Sequence, residues 1–98
     1  MEVVIQQSRK KKGKKLDAVI DGKKTVSFGQ KKASDFTLHK DEERKERYIA
    51  RYQKKENWRD PKTPGFYSRF VLWNKPTIQA SVNDLNKRYK NINFIFKK

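Results

Sequence analysis

The side chains of this sequence that are best suited to chemistry are cationic, and they fall into two sets. One set surrounds Gly13, and the other recurs at helical spacing through residues 40–55. At about 100° per residue, the second set occupies an arc of about 100° on one face of an α-helix. Such groups can neutralise phosphates or carboxylates. The first set is Arg9, Lys10, Lys11, Lys12, Lys14 and Lys15, and the second is Lys40, Arg44, Arg47, Arg51, Lys54 and Lys55.

Two interpretations of these cationic sets stay open. In one, both are solvated surfaces, namely a loop tip and the outer face of a helix. In the other, both contact a polyanion or an acidic protein surface. Lysine ammonium groups are point charges without the geometry that reads base edges, so the second interpretation implies binding without sequence preference.

Aromatic residues gather around the Pro- and Gly-containing segment 57–65. Trp58 and Tyr67 lie among basic residues, and this arrangement can stack single-stranded bases. The alternative is that both rings belong to the core. Phe66, Phe70 and Trp73 repeat at i, i+4 and i+7, and this helical spacing predicts core side chains.

Residues for catalysis or metal binding are scarce. His39 is the single histidine, which excludes a two-histidine metal site or a histidine dyad within one chain, and it is expected to lie in a helix-capping region. The acidic run 41–43 could hold Mg²⁺, but the dipole of a helix beginning there explains it as well. The chain has no Cys, no phosphate-binding glycine loop and no nucleophile elbow. We therefore predict no enzyme, catalytic residue, metal, cofactor or small-molecule substrate.

Length and charge define the class of protein. The chain has 98 residues, with 26 Lys or Arg against 11 Asp or Glu, and a formal net charge of +15. This length predicts one small basic domain spanning residues 1–98. A charge excess of this size is typical of polyanion binders. No apolar run approaches the ~18–20 residues that a bilayer-spanning helix needs, so no transmembrane segment is expected.

Residues 1–33 are predicted to form an antiparallel β-meander with a lysine-rich loop. The expected strands are residues 3–7, 16–20 and 24–28. A three-residue loop at 21–23 pairs Leu16 with Phe28 and so keeps one face mostly apolar, whereas a two-residue turn pairs apolar residues with polar ones. Because a one-residue slip turns a strand inside out, the pattern favours the three-residue loop.

Residues 34–98 are predicted to form a helical and aromatic core. The expected elements are a helix over 40–56, a short aromatic helix over 66–73 and a third helix capped by Thr77. In the first helix, Tyr48, Ile49 and Tyr52 form the stripe expected to face the core. The alternation of apolar residues from Asn91 onward is compatible with a last strand that returns to the sheet. The predicted fold class is α+β, with a small antiparallel N-terminal sheet packed against two or three helices.

Four segments carry a family resemblance. They are residues 34–48, Glu56-Asn57-Trp58, Pro64-Gly65-Phe66 and residues 72–77. Over about residues 31–89, they resemble an uncharacterised family of short basic proteins encoded by large double-stranded DNA viruses of eukaryotes, of the chlorella-virus and iridovirus kind. The resemblance implies a setting, which is a viral factory or a virus particle. It implies no activity and no functional residue.

Two functions are compatible with this sequence. The first is a small structural protein of the virion, a minor capsid or internal component that bridges packaged DNA or other virion proteins with acidic surfaces. The second is a sequence-independent nucleic-acid-binding protein that coats or condenses DNA or RNA in the infected cell. The first is expected in the virion, and in the host cytoplasm or nucleus during assembly.

Overall fold

The computed structural model describes residues 1–9 and 13–97. A four-stranded mixed sheet carries the fold, with strand order β3-β2-β1-β4. Its strands are β1 (Glu2–Gln7), β2 (Lys14–Ile20), β3 (Lys24–Gln30) and β4 (Asn93–Phe96). The first three form the antiparallel meander predicted from the sequence, and β4 runs parallel to β1 at the opposite edge. The α+β class and the returning C-terminal strand are thus confirmed.

The register of the β2–β3 hairpin is the one favoured by the apolar pattern. Leu16 lies opposite Phe28, and the loop spans residues 21–23. Asp21 and Gly22 adopt positive φ angles of 50° and 67°, so the loop turns back within three residues. β3 extends to Gln30, two residues beyond the predicted end of the strand at residue 28.

The helices are α1 (Phe36–His39), α2 (Glu42–Tyr52), α3 (Pro64–Tyr67) and α4 (Ile78–Arg88). The prediction of one helix over 40–56 was wrong at both ends. Lys40 has a φ of 56° and ends α1, and Asp41 then caps α2 by accepting the N–H groups of Glu43 and Arg44. Because α2 ends at Tyr52, residues 53–55 form a turn instead of a last helical turn.

The aromatic helix begins two residues before its predicted start. The Thr63 hydroxyl accepts the Phe66 N–H, and Pro64 occupies the first turn, where its missing N–H costs nothing. α3 continues into a π-helical turn, Ser68–Leu72. This wider turn brings three consecutive residues, 70–72, into the core. At α4, the predicted cap is confirmed, since the Thr77 hydroxyl accepts the Ala80 N–H.

One apolar cluster joins the sheet to the helices. It contains residues from all four strands, from α3, from the π-helical turn and from α4. α2 contributes no buried residue; Tyr48, Ile49 and Tyr52, predicted to face the core, are half-buried. Gly29 lets β3 approach the π-helical turn, since a Cβ there would lie 2.6 Å from Leu72 Cδ1. Among the described residues, no helix combines the length and apolar character needed to cross a membrane.

Candidate functional site

An open groove of about 620 Å³ separates α2 from the end of the β2–β3 pair. Residues of α3 and the π-helical turn complete its wall. Its basic side chains come from two distant parts of the chain. Lys14 and Lys15 lie at the start of β2, and Arg44, Arg47 and Arg51 lie along α2. Folding therefore brings members of both predicted cationic sets to one concave surface.

Two carboxylates line the same groove, and one of them, Asp35, is held in place. Asp35 is buried, forms an ion pair with Lys15 Nζ and accepts the Thr37 N–H as the cap of α1. Lys15 is therefore part of the structural framework of the groove. The Glu56 carboxylate occupies the space above Gly65, where a Cβ would overlap it. Neither acid contacts the arginines of α2 within ion-pair distance.

Most of the groove cations lack a close carboxylate. Arg47 lies 3.8 Å from Glu43 in an exposed ion pair, a type that contributes little stability. Lys14, Arg44 and Arg51 form no ion pair with any residue that the structure describes. The arginines are neighbours on one helix face, where like charges repel. A bound polyanion would remove this repulsion.

An aromatic ladder of four rings lies beside the arginines, and three of these rings line the groove. We give this name to Tyr48, Tyr52, Trp58 and Trp73. The rings of Tyr48 and Trp73 stack in parallel at 4.4 Å between centroids, and Tyr52 contacts Tyr48 at 4.9 Å. Burial and the nearby charge of Glu56 raise the pKa of Tyr48 to about 12, so its phenol is neutral at physiological pH. The ring faces are engaged with each other, so the ladder positions α2.

Tyr67 was predicted as a possible stacking residue, and this prediction was wrong. Its side chain is 0% exposed and packs against Phe28 and Phe66, with centroid distances of 5.5 and 5.0 Å. Burial raises the pKa of its phenol, and the hydroxyl has no hydrogen-bond partner among the described residues. Trp58 is half-buried and does not line the groove; its ring lies parallel to Tyr48 at 6.4 Å.

Three members of the predicted basic face lie outside the groove. The Lys40 ammonium donates to the Thr37 carbonyl at 2.9 Å, which ties it to the end of α1. Lys54 and Lys55 are exposed in the turn after α2. Because α2 spans only Glu42–Tyr52, Lys40, Lys54 and Lys55 do not continue the helical spacing of the arginines, and all three lie outside the groove.

The predicted lysine-rich loop is only partly described. Lys10, Lys11 and Lys12 lie outside the described residues, as does Lys98. Arg9 is exposed, its backbone N–H donates to Asp17 Oδ2 at 3.2 Å, and it does not line the groove.

His39 has the capping position predicted for it. Its Nδ1 accepts the N–H of Asp41 at 2.9 Å, and its ring contacts Trp73 at 5.3 Å between centroids. Asp41 itself caps α2, which confirms the helix-terminus interpretation of the acidic run. Within residues 1–9 and 13–97, no three His, Asp or Glu side chains are grouped so as to hold a metal ion.

Several groove residues were missed from the sequence, including three with longer polar or charged side chains. Gln30, Asp35 and Glu56 were not singled out, although all three line the groove. Asp35 had a detectable signal, since Asp is a preferred N-cap residue whose side chain accepts the N–H of the residue two positions later, which is Thr37 here. Gln30 and Glu56 had no such signal, because their placement depends on how distant segments pack.

Residues 3–52 match the model of a family of unknown function (DUF5754). Comparisons with curated proteins and with solved structures gave no match. The matched range contains β2, β3, α1, α2 and all of β1 except Glu2, and therefore the five described basic residues that line the groove.

Proposed function

This chain belongs to DUF5754, a family of unknown function, and we propose that it is a non-enzymatic protein whose groove binds nucleic-acid phosphates without reading sequence. The observation that carries the proposal is the convergence of Lys14 with Arg44, Arg47 and Arg51 on one concave surface, with little neutralisation by carboxylates. Lys15 adds structural support through Asp35.

The spacing of the arginines suits a phosphate backbone. Arg44 and Arg51 are seven residues apart on α2, which corresponds to about 10 Å along the helix axis. This is the rise of about three base-pair steps in B-form DNA. Arg47 lies between them, so the three guanidinium groups can contact phosphates along one strand. Guanidinium groups also bind phosphate oxygens bidentately.

The aromatic residues of the groove favour backbone contact over base stacking. The face of Tyr48 is covered by Trp73, and Tyr67 is inside the core. Base stacking needs a free ring face, whereas phosphate contacts need only the cations. We therefore expect duplex and single-stranded DNA both to bind, with no preference among sequences.

The setting of this binding is a separate part of the proposal. The resemblance of residues 31–89 to basic proteins of large DNA viruses favours a role in the virus particle, as a minor capsid or internal component that contacts packaged DNA. Mass spectrometry of purified particles tests this setting. Absence of the protein from the particles contradicts the virion role and leaves the groove's binding role to be judged by the next experiment.

Fluorescence anisotropy with labelled duplex and single-stranded DNA tests the groove. The groove variant replaces Arg44, Arg47 and Arg51 with glutamine. The control variant replaces Lys23, Lys24 and Lys97 with glutamine. These lysines are exposed and outside the groove, and their replacement removes as many positive charges as the groove variant does. We expect the groove variant to lose at least tenfold in affinity relative to the control variant.

Three results would overturn the proposal. One is the absence of binding by the wild type at about 50 mM salt. Another is equal loss of affinity in the two variants, which would assign the effect to net charge alone. The third is unfolding of the groove variant, seen by circular dichroism, because exposed arginines that only bind ligands should not be needed for folding.

A further inference from the structure

A second group of cations lies around Phe70, and none of its members lines the groove. We call it the Phe70 cluster; Arg69 and Arg88 lie against the Phe70 ring, and Lys45 and Lys75 complete the group. Lys45 Nζ lies 4.8 Å from the centroid of the neighbouring Phe36 ring, and the charge of Lys75 acts on Lys45. The guanidinium carbons of Arg69 and Arg88 lie 5.1 and 5.4 Å from the centroid of the Phe70 ring. Two cations therefore share one aromatic ring.

Little negative charge compensates the Phe70 cluster. Asp84 forms an ion pair with Arg88 Nε at 2.8 Å, and the same carboxylate oxygen accepts from Asn74 at 2.9 Å. Arg69 donates one hydrogen bond to the Trp73 carbonyl at 2.8 Å, and its buried Nε has no partner among the described residues. Within those residues Arg69 has no carboxylate at ion-pair distance. A half-buried arginine next to other cations is costly without an anion.

The local electrostatics agree with this geometry. Burial lowers the pKa of Arg69, and the charge of Arg88 lowers it further. Burial also lowers the pKa of Lys45. Glu42 raises this pKa, whereas the charges of Arg69, Lys75 and Arg88 lower it further. The neighbouring cations thus weaken the protonation of Arg69 and Lys45. A phosphate oxygen placed among them would reverse this effect.

The Phe70 cluster and the groove lie on different sides of the aromatic ladder. On α2, Lys45 is about 100° around the helix axis from Arg44, and Tyr48 falls between them at about 40°. The Tyr48 ring is stacked on Trp73, whose carbonyl binds Arg69. A ligand in the groove therefore leaves the Phe70 cluster available.

We propose that the Phe70 cluster is a second phosphate-binding site, which takes phosphodiester groups of a second nucleic-acid segment, so that one protein molecule bridges two segments. The inference rests on the proposed function of the groove. It adds a specific activity, since a protein with one site coats nucleic acid, whereas a protein with two sites joins segments together.

Energy transfer between donor-labelled and acceptor-labelled duplexes measures bridging directly. The bridging variant replaces Lys45, Lys75 and Arg88 with glutamine and leaves Arg69, which packs between Trp58 and Phe70, in place. The control is again the variant of Lys23, Lys24 and Lys97. We expect energy transfer to fall at least fivefold in the bridging variant, while its affinity for an isolated duplex matches that of the control.

The outcomes separate this inference from the proposed function. Energy transfer equal to that of the control overturns the second site, whatever the groove does. Loss of binding to an isolated duplex in the bridging variant also overturns it, because the cluster would then belong to the primary site. Failure of the groove variant to lose affinity refutes the groove instead.

Inorganic phosphate distinguishes the two sources of the same chemistry. We expect phosphate and chloride to suppress energy transfer alike at equal ionic strength, because the cluster then acts on phosphodiesters through charge. If phosphate suppresses it at concentrations where chloride has no effect, free phosphate competes with phosphodiesters for the cluster, which supports the second site. If neither salt suppresses it, phosphodiester charge does not hold the two segments together, and that result would overturn the bridging proposal.

Discussion

Replacing Arg44, Arg47 and Arg51 with glutamine should flatten the salt dependence of nucleic-acid binding. Each cation that neutralises a phosphate of duplex DNA releases a counterion, so each contact contributes about −0.9 to the slope of log affinity against log salt. All three arginines line the groove without a strong ion pair. Their removal should therefore change the slope by about 2.7 for duplex DNA.

The expected effect is large enough to measure in an ordinary titration. Between about 50 and about 200 mM salt, three phosphate contacts account for an approximately 40-fold loss of affinity. The wild type should show this additional loss, and the groove variant should not. Anisotropy titrations of one short duplex across a salt series give both slopes. With single-stranded DNA, the difference should shrink to about 2.1, because each contact there contributes about −0.7.

The matched control decides whether the change in salt dependence comes from the position of the removed charges or from the lower net charge alone. Lys23 and Lys24 lie at the loop end of the β2–β3 hairpin, opposite the end that lines the groove, and Lys97 follows β4. Replacing these three lysines removes the same charge and should leave the slope close to that of the wild type. Equal flattening in both variants would refute the assignment of the groove.

Three further predictions concern stability, measured by urea unfolding. Gly29→Ala should lower the free energy of unfolding by about 2–4 kcal/mol, because it combines a φ of 76° with a clash against Leu72. Gly22→Ala, which has open space around it, should lower it by only about 1–2 kcal/mol. Equal losses in the two variants would contradict the packing argument. Tyr67→Phe should raise the free energy of unfolding by about 1 kcal/mol, because the buried hydroxyl lacks a partner. Since burial raises the pKa of Tyr67, the wild type should lose stability as the pH rises above about 10, and the Phe variant should lose less; an unchanged alkaline profile would argue against this. Thr77→Ala should cost about 1 kcal/mol through loss of the α4 cap, and no measurable cost would show that water replaces it.

Local pattern was sufficient to predict the β-meander and the start of α4. The β2–β3 register followed from apolar alternation, because only one alignment puts Leu16 opposite Phe28. The α4 cap followed from a hydroxyl residue, Thr77, before an apolar stripe. By contrast, the start of α2 was misplaced, because charge alone does not reveal that Lys40 takes a left-handed conformation and breaks the helix.

The groove and the Phe70 cluster depend on tertiary packing that no local pattern encodes. Helical spacing placed Arg44, Arg47 and Arg51 on one face, but the meeting of that face with Lys14 needed the positions of β2 and α2. Tyr67 was assigned wrongly for the same reason, since its burial depends on contact between α3 and β3.

The parallel pairing of the first and last strands has a mechanical consequence. The Asn93 N–H donates to the Met1 carbonyl at 2.9 Å, and the Lys97 N–H donates to the Ile5 carbonyl at 2.8 Å. Because β1 and β4 run in the same direction, tension applied before β1 and after β4 pulls the two strands past each other along their length. The force is then shared by the whole ladder at once, as shear. A molecule tethered at both ends would resist stretching until these bonds ruptured together.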